Sequence, residues 1–233
     1  MSVLAIIPAR GGSKRIPRKN VKPFCGKPMM AWSIEAARAS RVFDRIIVST
    51  DDDEIAAVAE QHGAEVPFRR PAELANDHAS TDAVFLHAIR EMEKQGISDY
   101  ACCLYATAPF VRPEDLREGL ALLRGKAATS AFSVVRFDYP IFRALKVNDR
   151  GRVGMFWPEH RLTRSQDLPE VWHDAGQFYW VDVAKYKNEG KIYSSDALPV
   201  PLPAWRVQDI DTPEDWTRAE LMFKAIQPST EDK

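Results

Sequence analysis

An α/β fold with a largely parallel central sheet is predicted by three observations. A continuous apolar run opens the chain, such runs alternate with helical stretches, and a glycine-containing basic loop follows the first run directly. Val3-Leu4-Ala5-Ile6-Ile7 is apolar at every position, the pattern of a strand covered on both faces. Over 28–38, Met29, Met30, Ile34 and Ala37 share one helical face, with a proline in the first turn. Residues 45–49 repeat the strand pattern, and 54–62 reads as a helix stopped by Gly63. A helix over 80–95, a strand over 100–105, a helix over 113–123 and a strand over 130–135 continue the rhythm.

After Arg136 the rhythm changes. Residues 136–172 carry scattered aromatics and short alternating pieces, 144–147 and 153–156, without helical period, and are expected to form a β-rich excursion from the sheet. The chain returns through a strand over 177–181 and closes with a helix over 213–226 and a short polar tail after Gln227. One domain spanning 1–233 is expected, with the excursion as its elaboration.

Composition narrows the functional classes. With 45% hydrophobic and 28% charged residues, 233 residues bury enough apolar surface to outweigh their ordering entropy, so disorder is excluded as the whole answer. The 32 Lys and Arg against 33 Asp and Glu give a net charge of -1, hence no general attraction to nucleic acid or anionic membranes; anion binding must come from a local cluster. Cys25, Cys102 and Cys103 build no disulfide framework and show no zinc spacing. The opening run is too short for a signal-peptide core, and no stretch nears the roughly 20 apolar residues of a membrane span, so a soluble, cytoplasmic protein is expected.

The local cluster is the loop 8–20, which carries Arg10, Lys14, Arg15, Arg18 and Lys19 and no acid. At the carboxyl end of a first parallel strand, Gly11 and Gly12 allow backbone N–H groups to approach phosphate oxygens while the cations neutralise them. The spacing is neither that of a P-loop nor that of a dinucleotide-binding turn. Asp51-Asp52-Asp53-Glu54 precedes a helix, where Thr50 or Asp51 is expected to cap and the other acids to meet the helix dipole rather than a metal. In Asp209-Ile210-Asp211, by contrast, the i and i+2 carboxylates of an extended segment point to one side, and magnesium takes one or two such groups alongside phosphate oxygens and water. The helix start at 212–215 accounts for its own acids but leaves Asp209 without a role. His87 and His62 are read as structural and terminal, and His173 beside Asp174 as positional or, as a second reading, an acid–base pair. The residues by themselves describe a magnesium-dependent, nucleotide-binding α/β protein.

An ordered set of motifs goes further. Ile7-Pro8-Ala9-Arg10-Gly11-Gly12-Ser13-Lys14, Arg18-Lys19-Asn20, Gly26-Lys27-Pro28, Ser49-Thr50-Asp51, residues 70–75, Arg164-Ser165-Gln166-Asp167 and residues 209–215 together resemble the acylneuraminate cytidylyltransferases, which make CMP-activated sialic-type sugars. Residues 12–15, 24–29 and 173–180 are similar to the branch acting on pseudaminic acid. The resemblance implies a Rossmann-like nucleotidyltransferase fold in which the anomeric hydroxyl of a nine-carbon acidic sugar attacks the α-phosphate of CTP, releasing pyrophosphate. It implies nucleotide contacts from Arg10, Gly11, Gly12, Ser13, Lys14, Asn20, Arg70, Asp77 and Ser80, and catalytic roles for Lys14, Lys19, Asp209 and Asp211, the two aspartates holding Mg2+. It implies a sugar pocket from Tyr105, Thr107, Arg164, Gln166, Gln177, Phe178 and Tyr179, with Arg164 facing the sugar carboxylate. The excursion is implied to build a homodimer and lend residues across it. N-acetylneuraminic acid or another nonulosonate stays open as the substrate, as does a binding module without turnover. Nucleic-acid binding through the basic loop is disfavoured by the balanced charge.

Overall fold

The structure is a computed structural model that describes residues 1–96 and 99–226; the polar tail after Gln227 lies outside the described residues. In chain order the elements are β1 (Val3–Pro8), a small hairpin of β2 (Pro23–Phe24) and β3 (Lys27–Pro28), α1 (Met29–Ser40), β4 (Arg45–Ser49), α2 (Asp53–Gln61), α3 (Thr81–Glu93), β5 (Tyr100–Leu104) and α4 (Pro113–Lys126). Then follow β6 (Ser130–Arg136), β7 (Leu145–Val147), β8 (Val153–Met155), β9 (Trp172–Asp182), α5 (Val183–Glu189), β10 (Leu198–Leu202) and α6 (Pro213–Ile226). Six strands make the central sheet in the order β10-β6-β9-β5-β1-β4. All neighbours run parallel except β9, which is antiparallel to both β5 and β6. The expectation of an α/β fold with a largely parallel sheet holds.

Helices cover both faces, which is why the strands are apolar at consecutive positions. On one face Ile34 of α1, Ile55 of α2 and Leu116, Leu120 and Leu123 of α4 pack on Ile7, Val48 and Trp180. On the other, Phe85, Ile89 and Met92 of α3 and Tyr186 of α5 pack on Leu4, Ile6, Cys103 and Val181. A third cluster joins Trp216 and Phe223 of α6 to Phe24, Met29, Phe110 and Ile210. The fully buried Phe24 meets Trp216 and Phe223 edge-on, with ring centroids 5.4 Å apart in each pair.

Helix α4 lies close against the sheet at Gly119, where a Cβ would sit 2.6 Å from Trp180 Cδ1 and 3.2 Å from Phe178 Cε2. Alanine here would gain helix propensity, about 1 kcal/mol, but overpack a buried indole, at roughly 1–3 kcal/mol. Gly119→Ala is therefore expected to lower the urea midpoint with an unchanged m-value. A midpoint at or above wild type would show that α4 slides off the indole without cost.

Several elements differ from the sequence expectation. Strand β9 begins at Trp172 rather than Gln177, and α5 and β10 are additional. The excursion contains an antiparallel hairpin, β7 with β8, whose Leu145, Val147 and Val153 are exposed along with nearby Phe156 and Leu162. It leaves and re-enters the sheet at one place, because Arg136 pairs directly with Trp172. No helix among the described residues is long and apolar enough to cross a membrane.

Candidate active site

Beyond the ends of β1 and β5 lies a cleft of ≈ 510 Å³ whose walls are the basic loop, Arg70, Asp77, Thr81, Tyr105, Thr107 and Asp211. A larger cleft, ≈ 660 Å³, sits at the root of the excursion between 135–141, 165–172 and 201–204. Its Arg136 is paired to Glu170 at 2.7 Å. Only the smaller cleft gathers the loop cations at the carboxyl ends of parallel strands, where open α/β folds bind ligands, and the chemistry is assigned to it.

The loop is held from below by the acidic run. Ala9 N–H donates to Ser49 O at 3.0 Å and Gly11 N–H to Asp51 Oδ1 at 3.0 Å. A Cβ on Gly11 would lie 2.7 Å from Asp52 Oδ2, whereas at Gly12 it would meet open space, so the two glycines have different reasons to be there. Asp52, not Thr50 or Asp51, caps α2 by accepting from Ile55 N at 2.9 Å. Thr50 Oγ1 instead accepts from Asp52 N–H at 3.1 Å, because Asp51 has turned back to the loop. Both Asp52 oxygens take the guanidinium of Arg18, at 2.6 and 2.9 Å, and Glu54 adds a further bond. Arg18 stands in the left-handed region at φ 56, and its hydrogen bond is the main reason the Asp52 carboxyl falls to about 2. The run thus serves loop and helix.

Buried Asn20 donates to Arg10 O at 3.0 Å, a bond internal to the loop. Arg70 is also buried, donating to Ser49 Oγ at 3.1 Å and to Ser49 O. Burial lowers its guanidinium to about 10, with the charge of Arg10 adding to the effect and that of Asp51 opposing it. The other cations meet two carboxylates. Arg10 and Lys14 both reach Asp77, at 2.8 and 2.5 Å, while Arg15 and Lys19 reach Asp211, at 2.7 and 3.3 Å. Lys19 Nζ also donates to Ile210 O at 2.7 Å, tying the loop to the segment that carries both C-terminal aspartates.

That segment is positioned from the core. Ile210 is buried beside Trp216, and Asp215 accepts from Asp211 N–H at 3.2 Å and Thr212 N–H at 2.8 Å. Upstream, Arg206 makes a fork to both oxygens of Asp115, at 2.6 and 2.9 Å, with side chains only 8% and 9% exposed. Asp211 lines the cleft, whereas Asp209 is not among the residues that line it. Although Asp209 is exposed as a residue, its carboxyl is pushed up from the ordinary value, first by desolvation and next by the charge of Asp211, with Lys19 opposing. No hydrogen bond or ion pair to the Asp209 carboxylate occurs among the described residues.

The expected sugar residues divide. Tyr105 and Thr107 line the cleft, and the Tyr105 hydroxyl is 3.0 Å from Thr81 Oγ1. Behind Tyr105, Tyr179 and Tyr193 donate to one oxygen of Asp174 at 2.6 and 2.8 Å, while Gly176 N–H donates to the other at 2.8 Å. Phe178 is 0% exposed and packs in the core with Trp180; as neighbours of Tyr179 on a strand, both must face the opposite helices. Gln177 is buried too, and its amide donates to Arg206 O at 2.6 Å, which makes it a support for the 206–211 segment. Ser80 caps α3 by accepting from Ala83 N at 3.2 Å. Arg164 pairs with Asp167 at 2.7 Å and Gln166 lines the larger cleft, so neither reaches the smaller cleft of its own chain. His173 bonds the Asp174 carbonyl at 2.9 Å rather than its carboxylate, and the acid–base pair does not form. Arg15, Thr81 and Tyr193 fall outside the site residues the sequence points to; Arg15 is visible in the basic loop, but nothing local marks Thr81 or Tyr193.

Comparison with known proteins identifies the family. The family model described as cytidylyltransferase matches residues 4–220. The chain belongs to the cytidylyltransferase family. A relative in this family, the pseudaminic acid cytidylyltransferase of Campylobacter jejuni, is 42% identical over 98% of this chain and 99% of its own. The CMP-N,N'-diacetyllegionaminic acid synthase of Legionella pneumophila is 33% identical over 97% of this chain and 98% of its own. A solved CMP:2-keto-3-deoxy-manno-octonic acid synthetase complexed with CTP aligns with a TM-score of 0.72 at 19% identity, over 97% of this chain and 100% of that one, and so shares the cytidylyltransferase fold.

Proposed function

We propose that the protein transfers CMP from CTP to the anomeric hydroxyl of pseudaminic acid, giving CMP-pseudaminic acid and pyrophosphate, with Mg2+, as a cytoplasmic homodimer. The observation that carries the reading is the cleft ringed by Arg10, Lys14, Arg15, Lys19 and Arg70 in a cytidylyltransferase 42% identical to a protein of that name. A triphosphate repels an incoming sugar carboxylate, so catalysis depends on neutralising charge and aligning the reactants. Arg10, Lys14 and Lys19 face the phosphates from the loop, and Tyr105 and Thr107 shape the wall where the sugar enters.

Asp209 and Asp211 fit a magnesium ion. They are hard oxygen donors, and the Asp209 carboxyl, raised first by desolvation and next by the charge of Asp211, is one that a divalent cation would hold ionised. Among the described residues no group of three or more His, Cys, Asp or Glu side chains is assembled for a metal, so the remaining ligands would be phosphate oxygens and water. When bound, the ion supplies positive charge at the phosphates. The exposed apolar hairpin and Phe156 are the surface offered to a second copy, whose cleft Arg164 and Gln166 would then reach.

Pyrophosphate release from CTP and magnesium, with pseudaminic acid compared with N-acetylneuraminic acid, tests the assignment. Turnover with pseudaminic acid alone is expected. Turnover with N-acetylneuraminic acid alone would overturn the sugar, and turnover undiminished by a chelator would overturn the metal. Sedimentation of purified protein as a monomer at micromolar concentration would overturn the dimer.

A further inference from the structure

Asp77 sits in the phosphate-facing wall of the cleft, yet it is an acid. Its two oxygens each hold a cation of the basic loop: Oδ1 takes Arg10 at 2.8 Å and Oδ2 takes Lys14 at 2.5 Å. The resemblance to the cytidylyltransferases implied a nucleotide contact here, but a carboxylate has no proton to offer a phosphate and repels it. What it offers instead is a substitute for one. We propose that Asp77 is a positioning residue that gathers Arg10 and Lys14 between turnovers and competes with phosphate oxygens for them, so that it hastens the departure of pyrophosphate. This role rests on the cleft being the triphosphate site proposed above.

The backbone around Asp77 is built to present that carboxylate. Asn76 Oδ1 accepts from His78 N–H at 2.8 Å and Ala79 N–H at 3.1 Å, and its amide donates to Glu73 O at 2.7 Å. Ser80 then starts α3. The turn is therefore fixed on both sides of Asp77. Its partner Lys14 is 80% exposed and swings on a flexible stem, so exchanging one anion for another requires little rearrangement. Half-exposed ion pairs are weak and readily displaced, which suits an anion that must yield to CTP and return when product leaves. The Asp77 carboxyl is held below the usual range chiefly by the Lys14 hydrogen bond, so it stays charged and able to compete at neutral pH.

The test is calorimetric titration of the free protein with pyrophosphate at fixed ionic strength, comparing wild type with Asp77→Asn, a substitution of the same shape at a solvent-facing side chain. Asp77→Asn is expected to bind pyrophosphate about 3- to 10-fold more tightly, and its inhibition constant for pyrophosphate should fall in proportion. In a Lys14→Ala background the same change should yield a smaller gain, because a partner of Asp77 is gone. A merely structural role would loosen binding. Equal or weaker pyrophosphate binding by Asp77→Asn would overturn this role alone, as would an undiminished gain in the Lys14→Ala background. Failure of wild type and variant alike to bind pyrophosphate would overturn the phosphate cleft and the role of Asp77 with it.

Discussion

Lys19→Ala is expected to lower kcat by roughly 10²–10³, the usual loss when a transition-state donor is removed. Lys19 is the least exposed of the ion-paired loop lysines and arginines, at 18%, so its charge is less screened than the others. It also performs two tasks at once. Its ammonium donates to Ile210 O at 2.7 Å and reaches Asp211 at 3.3 Å, which registers the basic loop against the acidic segment across the cleft. Losing it removes a charge proposed to face the phosphates and releases the segment proposed to hold magnesium. Steady-state pyrophosphate release at saturating CTP and sugar is the measurement. A kcat near wild type with a raised KM for CTP would reduce Lys19 to a ground-state binder, and wild-type values of both would remove it from the reaction. Lys19→Arg should recover only part of the loss, because a planar fork does not reproduce a compact ammonium between a carbonyl and a carboxylate.

Arg206→Met carries the largest expected stability effect. The Arg206–Asp115 pair is almost wholly buried and doubly hydrogen-bonded, so removing one partner strands a charge in the core, typically at about 3–5 kcal/mol. Asp115 retains one partner, since it also accepts from Arg112 N–H at 3.0 Å, which places the expectation toward the lower end of that range. Urea unfolding measures it. Arg206→Met with Asp115→Leu should be more stable than Arg206→Met alone, since an apolar replacement of both ions removes the stranded charge. A loss below about 1 kcal/mol for the single variant would show that water reaches Asp115 and solvates it.

The fold was legible where one physical demand dominated. β1 is buried on both faces and so is apolar along its length, and β4 is apolar over its central Ile46, Ile47 and Val48. β10 was missed because Pro199 and Pro201 argue against a strand. It is an edge strand, bonded only to β6, and an edge tolerates residues that cannot donate. α5 escaped because it is seven residues long and buries only Val183 and Tyr186. In the site, the basic loop announced itself by composition, whereas its partners did not. That Asp52 would clasp Arg18, that Asp77 would join Arg10 to Lys14, and that Gln177 would brace Arg206 are long-range facts. Local pattern carries no record of them. Phe178 shows the opposite error: the motif pointed to it as a pocket residue, but strand alternation turns its side chain into the core.

The pairing of Arg136 with Trp172 makes the excursion a detour with a single doorway. A detour clamped at its neck is mechanically separate from the sheet it departs from, since its ends stay put whatever happens between them. Changing its length costs little, about 0.6 kcal/mol for each doubling of a flexible loop. The arm is thus an interchangeable part: its contour can be redrawn to meet a different surface while Arg10, Lys19 and Asp211, held in loops outside the arm, keep their places.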